Sequence, residues 1–281
     1  MKQEKKQSHV RFIIVMIVLL AALLAAIFLT DSGGEKSETI QEVMKDAVLH
    51  EHNQMTLLGM QVNPSVISDM TVTGILLVVA ALLRIFAIPR FKLVPGKLQS
   101  ALEMLVSFFQ NLARTNSPHR YGFLSVYLFS AGVYIAGGTL FELLGVQGIT
   151  THGMSMSLPA PLSDINAAIA LGVMSYCVIL SGGIASNGLR GVGLTLKEFS
   201  LPISMSFRLF GALLSGLLVS ELVYYTISLS FVLPVIVGVL FTLLHALIQT
   251  YVLTMLTANY YGEVSEPSAK KQKQETATTA A

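Results

Sequence analysis

The chain has 281 residues, 53% of them hydrophobic and 12% charged, with a mean hydropathy of +0.67, a balance that excludes an ordinary soluble globular domain. Its net charge of +2 says little by itself; no nucleic-acid partner is expected, and the partner the composition demands is a lipid membrane. The single cysteine, Cys177, lies inside an apolar run, so no disulfide framework exists.

Apolar runs long enough to cross a hydrocarbon core of roughly 30 Å fall at about 12–29, 70–89, 122–145, 163–186, 199–228 and 234–261. The first, with a basic start and a small polar exit, fits either a cleaved signal peptide or an additional crossing. Residues 31–67 form an acidic outer segment. Its His50-Glu51-His52 lacks the further Cys/His ligands of a metal site and reads as solvated loop, so neither metal nor cofactor is expected. After Pro95-Gly96, Leu98, Leu102, Leu105, Phe109 and Leu112 share one face at helical spacing, with Lys97, Glu103, Gln110 and Arg114 elsewhere. About 97–115 is therefore expected as an amphipathic interfacial helix, a short re-entrant or buried helix being the alternative. The last two runs are too long to cross upright and must tilt or kink. Pro202 and Pro234 stand near their N-terminal ends, where a missing N–H costs little. Residues 263–281 are polar and expected to be disordered. The expected fold is an all-α integral membrane protein with five to six transmembrane helices, one interfacial helix and a long, tilted C-terminal hairpin; the membrane domain covers 68–262 and residues 1–30 stand apart.

Lys and Arg collect at the start, at 84–120, in the 187–198 loop and in the tail, whereas 31–67 is acidic and 146–162 carries no Lys or Arg. The positive-inside rule then orients all the runs consistently, with the C-terminus cytoplasmic.

Polar residues inside the runs are the candidate site. From Phe199 to Ser228 the only charged side chains are Arg208 and Glu221. Arg208 stays protonated, and its insertion at a helix centre costs roughly 2.5–3.5 kcal/mol. Ser204, Gly211, Ala212 and Ser215 around it are small, so another helix can approach closely. The two readings are an arginine presented to an acidic partner helix and an internal salt bridge. Asp69, Glu142, Asp164 and Asn166 mark four outer helix ends and are candidates for lining an outer half-channel, a wet terminus being the bland reading of each carboxylate taken singly. Glu221 lies deeper, about 140° around the helix from Arg208. Thr242, His245 and Gln249 form one stripe on the last run, although a lone His is often a packing residue. Graded inward from the turn, Glu221, His245, Gln249 and Arg208 describe an ion access path. Glu198, Ser200, Ser204 and Ser206 are the candidates for a cytoplasmic exit. A secondary transporter or channel using Arg208 to bind an anionic substrate is the alternative, but neither inverted repeats nor interrupted helices appear in both halves. An intramembrane hydrolase fails for want of a nucleophile–base pair or an HExxH motif.

The stretch KEFSLPISMSFRLFG (197–211) resembles the most specific motif of subunit a of F-type ATP synthases. ALIQTYVLTMLTANYYGEVSE (246–266), GKLQSALEMLVSFFQNL (96–112), SDIN (163–166) and FELLG (141–145) are similar to further blocks of that family, in the same order. The resemblance implies a non-catalytic stator subunit in a bacterial plasma membrane, beside a c-ring, peripheral-stalk b subunits and the other synthase subunits. It implies that Arg208 separates two offset half-channels for H⁺ or Na⁺ and displaces the ion from each passing ring carboxylate, with Gln249 beside it. Glu142, Asp164 and Asn166 match outer half-channel positions. Three departures stand out. Ala212 replaces the usual Asn; Leu217 replaces an acidic residue, with Glu221 one turn on; Thr242 replaces a His or Glu, with His245 three residues on. Both shifts keep the helical face, so Glu221 and His245 are expected to replace the relay jointly.

Overall fold

A computed structural model describes residues 55–57, 59–149, 155–225 and 233–267. The first apolar run, the acidic segment through His50-Glu51-His52, the turn at 226–232 and the polar tail lie outside the described residues.

The described chain opens with an antiparallel hairpin, β1 (Met55–Leu57) and β2 (Met60–Val62), in which Met55 pairs with Val62. Helix α1 (Pro64–Leu82) follows at once. Asn63 caps it by accepting a hydrogen bond from Ser65 N at 3.0 Å, and Pro64 takes the first turn, where its missing N–H forfeits no bond. This cap starts the helix several residues before the run expected from about 70. At the far end Pro89 cannot donate to the carbonyl four residues back. The backbone widens into a π-helical turn, Leu83–Ala87, with Ile88 N–H bonded to Leu83 O, and closes with a 3₁₀ turn, Ile88–Arg90.

Helix α2 (Lys97–Asn116) packs on α3 (Tyr121–Phe141). The buried Phe109 lies edge-on to Phe129, with ring centroids 5.9 Å apart, in the notch left by Gly132. Leu98 and Leu105, expected on the same apolar face, remain exposed. The buried residues of α2 are Phe109 and Ala113 in its C-terminal half, so the N-terminal half keeps an uncovered apolar surface.

Segment 146–162 is not a plain loop: β3 (Gln147–Ile149) pairs antiparallel with β4 (Ser155–Ser157), and Met55 buries itself against Leu158 and Gly148. Asp164 then caps α4 (Ile165–Asn187), accepting from Asn166 N at 2.7 Å. The 187–198 region, expected as a loop, is a correction. Gly188, at φ 58°, turns the chain through a left-handed conformation that favours glycine, and α5 (Leu189–Lys197) folds back so that Gly191 lies on the Gly183 backbone. Nine residues are too few for the periodicity that identifies a helix.

Helices α6 (Ser200–Tyr225) and α7 (Leu233–Ser265) have 26 and 33 residues, about 39 and 50 Å at the α-helical rise. Each places its proline, Pro202 or Pro234, within its first turn. Among the described residues five helices are long and apolar enough to cross a membrane: Pro64–Arg90, Tyr121–Leu144, Ile165–Asn187, Ser200–Val219 and Gly238–Ser265.

The contacts divide the chain into two units. The smaller comprises Met1–His52 with Ser215–Phe241, and its described residues are the adjoining parts of α6 and α7. The larger, Asn53–Leu214 with Thr242–Ala281, holds a core in which Leu124, Leu128, Ile135, Ile179, Met205, Leu209 and Tyr261 are almost fully buried. Lipid tails are as apolar as leucine, so its helices associate through close packing at small residues. A methyl group on Gly172 would come within 2.9 Å of Pro202 O on α6, and one on Gly182 within 2.7 Å of the Tyr261 ring on α7. At the end where α7 finishes, side chains satisfy helix-terminal carbonyls. Asn187 Nδ2 donates to Val264 O at 3.0 Å and Glu266 O at 2.9 Å, Arg120 Nη2 to Ala185 O at 3.0 Å, and His119 Nε2 to Ser265 O at 2.7 Å.

Candidate functional site

Helix α6 has two opposed faces. Leu201, Met205, Leu209 and Leu213, spaced four apart, are buried. Ile203, Ser204, Phe207, Arg208, Gly211 and Ser215 are exposed, while Ala212, expected with them, is half-buried. Arg208 thus points away from the packed side of its own unit. Among the described residues it has neither a hydrogen-bond nor an ion-pair partner, so no internal salt bridge with them holds it. One turn further on, a Cβ added at Gly211 would meet nothing within 4 Å, so this strip stays open around the guanidinium.

Helix α7 turns its polar stripe the other way. Thr242, Ala246, Gln249 and Leu253 are buried, with Gln249 only 6% exposed, and His245 is half-buried. Gln249 Oε1 has no hydrogen-bond partner among the described residues, which leaves a buried carbonyl acceptor at a cost. No hydrogen bond between described residues joins it to Arg208. Glu221 lies on α6, and its side chain is outside the described residues.

The carboxylates expected at outer helix ends separate by environment. Glu142 is half-buried in the 3₁₀ turn Glu142–Leu144 that ends α3, which closes at Gly145 with φ 58°. Asp164 spends one oxygen on its cap, and Asn166 in the next turn is exposed. Asp69, expected at a helix end, lies in the second turn of α1 because that helix starts at Pro64. It is half-buried, and Tyr134 OH donates to its Oδ1 at 2.6 Å. Of the residues expected at the cytoplasmic exit, Glu198 is half-buried at the α5–α6 junction and Ser200 and Ser204 are exposed. Ser206 is buried, donating to Pro202 O at 2.6 Å within its own helix, so its hydroxyl proton is already engaged. No group of three or more His, Cys, Asp or Glu side chains among the described residues could hold a metal ion.

Sequence reasoning missed the tyrosines. Tyr134 holds Asp69, and Tyr127 OH lies 2.7 Å from Ser175 Oγ. Their spacing of seven residues, which places both on one face of α3, was the available signal.

Comparison with known proteins follows the same chain segments. A family model described as ATP synthase A chain matches residues 69–262, a range that includes every candidate residue named above. The chain is 29% identical over 196 residues to ATP synthase subunit a of Cereibacter sphaeroides (strain ATCC 17025 / ATH 2.4.3), covering 66% of this chain and 75% of the relative. It is likewise 29% identical over 196 residues to ATP synthase subunit a of Cereibacter sphaeroides (strain ATCC 17029 / ATH 2.4.9), with the same coverage.

Proposed function

We propose, from the premise that the chain belongs to the ATP synthase A chain family and is a multi-pass membrane protein, that it is the ion-translocating stator subunit of a rotary F-type ATP synthase. The observation that carries this reading is Arg208: a permanent cation on the outward face of a membrane-spanning helix, with no partner among the described residues. A guanidinium at lipid depth is costly. An acidic side chain brought by a second protein offsets that cost, and the small residues flanking Arg208 leave room for it.

The mechanism follows from a fixed charge. Each carboxylate of a c-ring that reaches Arg208 gives up its ion and pairs with the guanidinium. The same charge blocks direct passage between the two half-channels, so net transport requires the ring to turn. The outer half-channel runs past Glu142, Asp164 and Asn166 towards His245 and Thr242, with Glu221 assigned to it from sequence position alone. Gln249 is assigned beside the arginine from the family resemblance, and its Oε1, without a partner among the described residues, suits it to a migrating donor. Glu198, Ser200 and Ser204 provide the inner exit. Asp69 is assigned to the same outer half-channel from its place near a helix end, with Tyr134 OH donating to its Oδ1. The transmembrane potential supplies about 2.3 kcal/mol per charge per 100 mV, to which an ion gradient adds. ATP chemistry belongs to other subunits, and the chain sits in a bacterial plasma membrane with its C-terminus cytoplasmic, held by b subunits of the peripheral stalk.

Copurification tests the assignment. Membranes solubilised gently and captured through this chain are expected to yield a small two-helix ring protein and ATP hydrolase activity. Recovery of the intact chain with neither would overturn the reading.

A further inference from the structure

A groove of about 450 Å³ runs between α3 and α4 and is bordered by Asp69 of α1. Tyr127, Ser130 and Tyr134 line it from α3, and Ala167, Ala170 and Met174 from α4; on both helices the spacing is three and four, so each contributes one continuous face. Small residues form the floor and tyrosine rings stand along one wall. The Tyr127 hydroxyl is pinned to Ser175 at 2.7 Å and that of Tyr134 to Asp69 at 2.6 Å, which fixes both rings. Ser130, Ala170 and Met174 are exposed, so the groove opens sideways along helices that cross the membrane.

Two features of this groove ask for opposite chemistry. Most of its lining is apolar and belongs to helices long enough to cross a membrane. Yet Asp69 offers a carboxylate that pairs with no cationic side chain among the described residues, and Ser130, whose own proton goes to Val126 O at 2.9 Å, retains lone pairs as an acceptor. Asp69 lies five residues beyond the start of α1, about 7.5 Å along the axis, so it stands near one end of a helix long enough to cross a membrane. An occupant that satisfies both features carries a cation with N–H donors at one end and hydrocarbon at the other. Phenol rings beside a cation add attraction through their faces, and a primary ammonium brings three donors to the free lone pairs.

We infer that the groove holds an amine-bearing phospholipid of the outer leaflet, its ethanolamine ammonium on Asp69 and one acyl chain along the Tyr127–Tyr134 wall. Charge complementarity selects the headgroup, and the lateral opening into lipid selects a membrane source. The outer-leaflet assignment rests on the orientation proposed above, and the site shares Asp69 with the outer half-channel, so its test reads lipid retention rather than ion transport.

The test is lipid retention by the purified full-length chain, incubated with equimolar phosphatidylethanolamine, phosphatidylcholine and phosphatidylglycerol and read by native mass spectrometry. Charge-assisted hydrogen bonds are the stronger kind, so wild type is expected to retain phosphatidylethanolamine about tenfold over the other two. Asp69→Asn is expected to abolish that preference, Asp69→Glu to keep it, and Ala167→Leu, which fills the floor, to reduce retention of every lipid. Equal retention of the three lipids by wild type overturns the proposal, as does an undiminished preference in Asp69→Asn. Saturation by free decylammonium with no phospholipid retained overturns the membrane source. If Asp69→Asn proves misfolded by circular dichroism, Ala167→Leu decides: retained phosphatidylethanolamine at the wild-type level contradicts the groove. None of these readouts depends on ion transport, so their failure leaves the stator reading standing, and the reverse holds too.

Discussion

At the scale of single residues, Arg208 and Gln249 differ in how polarity is carried at lipid depth. Arg208 is presented outward, while Gln249 is buried with its carbonyl oxygen unpaired. An unpaired buried acceptor costs roughly 1–3 kcal/mol, which is worth retaining only for a task. Gln249→Leu is therefore expected to leave the thermal stability of the purified chain unchanged or raise it, while lowering ATP-driven ion pumping of the assembled complex. Lower stability with normal pumping would make Gln249 a packing residue. Glu221→Gln is expected to slow pumping in vesicles, and an unchanged rate would remove Glu221 from the path. Arg208, Gln249 and Asp164 stand out as candidates in the sequence because each is a polar residue in an apolar run, whereas the cap that Asp164 makes on α4 is seen only in the structure. Asp69 was legible as a carboxylate, but its bond to Tyr134 was not, since 65 residues separate the pair and only the packing of α1 on α3 brings them together.

At the scale of elements, the long helices were readable from the length of their apolar runs, and the amphipathic helix from its periodic face. The hairpins β1–β2 and β3–β4 have three-residue strands, and α5 contains two glycines in nine residues; such segments carry no periodic signal. The start of α1 was misplaced because its cap, Asn63-Pro64, precedes the apolar run. Asn63→Ala is expected to lower stability by about 0.5–2 kcal/mol, measured by thermal unfolding in detergent, and no change would show that the cap contributes nothing in this context. Helix crossings depend on missing side chains. Gly172→Leu forces atoms against the Pro202 carbonyl and is expected to cost about 1–3 kcal/mol as overpacking. If unfolding of that variant occurred at the wild-type temperature, α4 and α6 would not be in close contact at this position.

For the whole molecule, the distribution of Lys and Arg along the chain is the ground for the proposed orientation. On a Cys177→Ser background, Gln147→Cys in β3 is expected to react with a membrane-impermeant thiol reagent added to right-side-out vesicles, and Glu266→Cys, just beyond α7, only after permeabilisation. The opposite pattern would invert the proposed orientation. Mechanism is less legible in the sequence than the all-α membrane fold, because the acid that Arg208 is proposed to meet belongs to another protein. The most direct measurement is ATP-driven ion uptake by inverted membrane vesicles carrying Arg208→Ala, with complex assembly and ATP hydrolysis followed in parallel. Uptake is predicted to vanish while the complex still assembles. Uptake at the wild-type rate would contradict the account, since a neutral side chain at 208 would then suffice to couple ion flow to rotation.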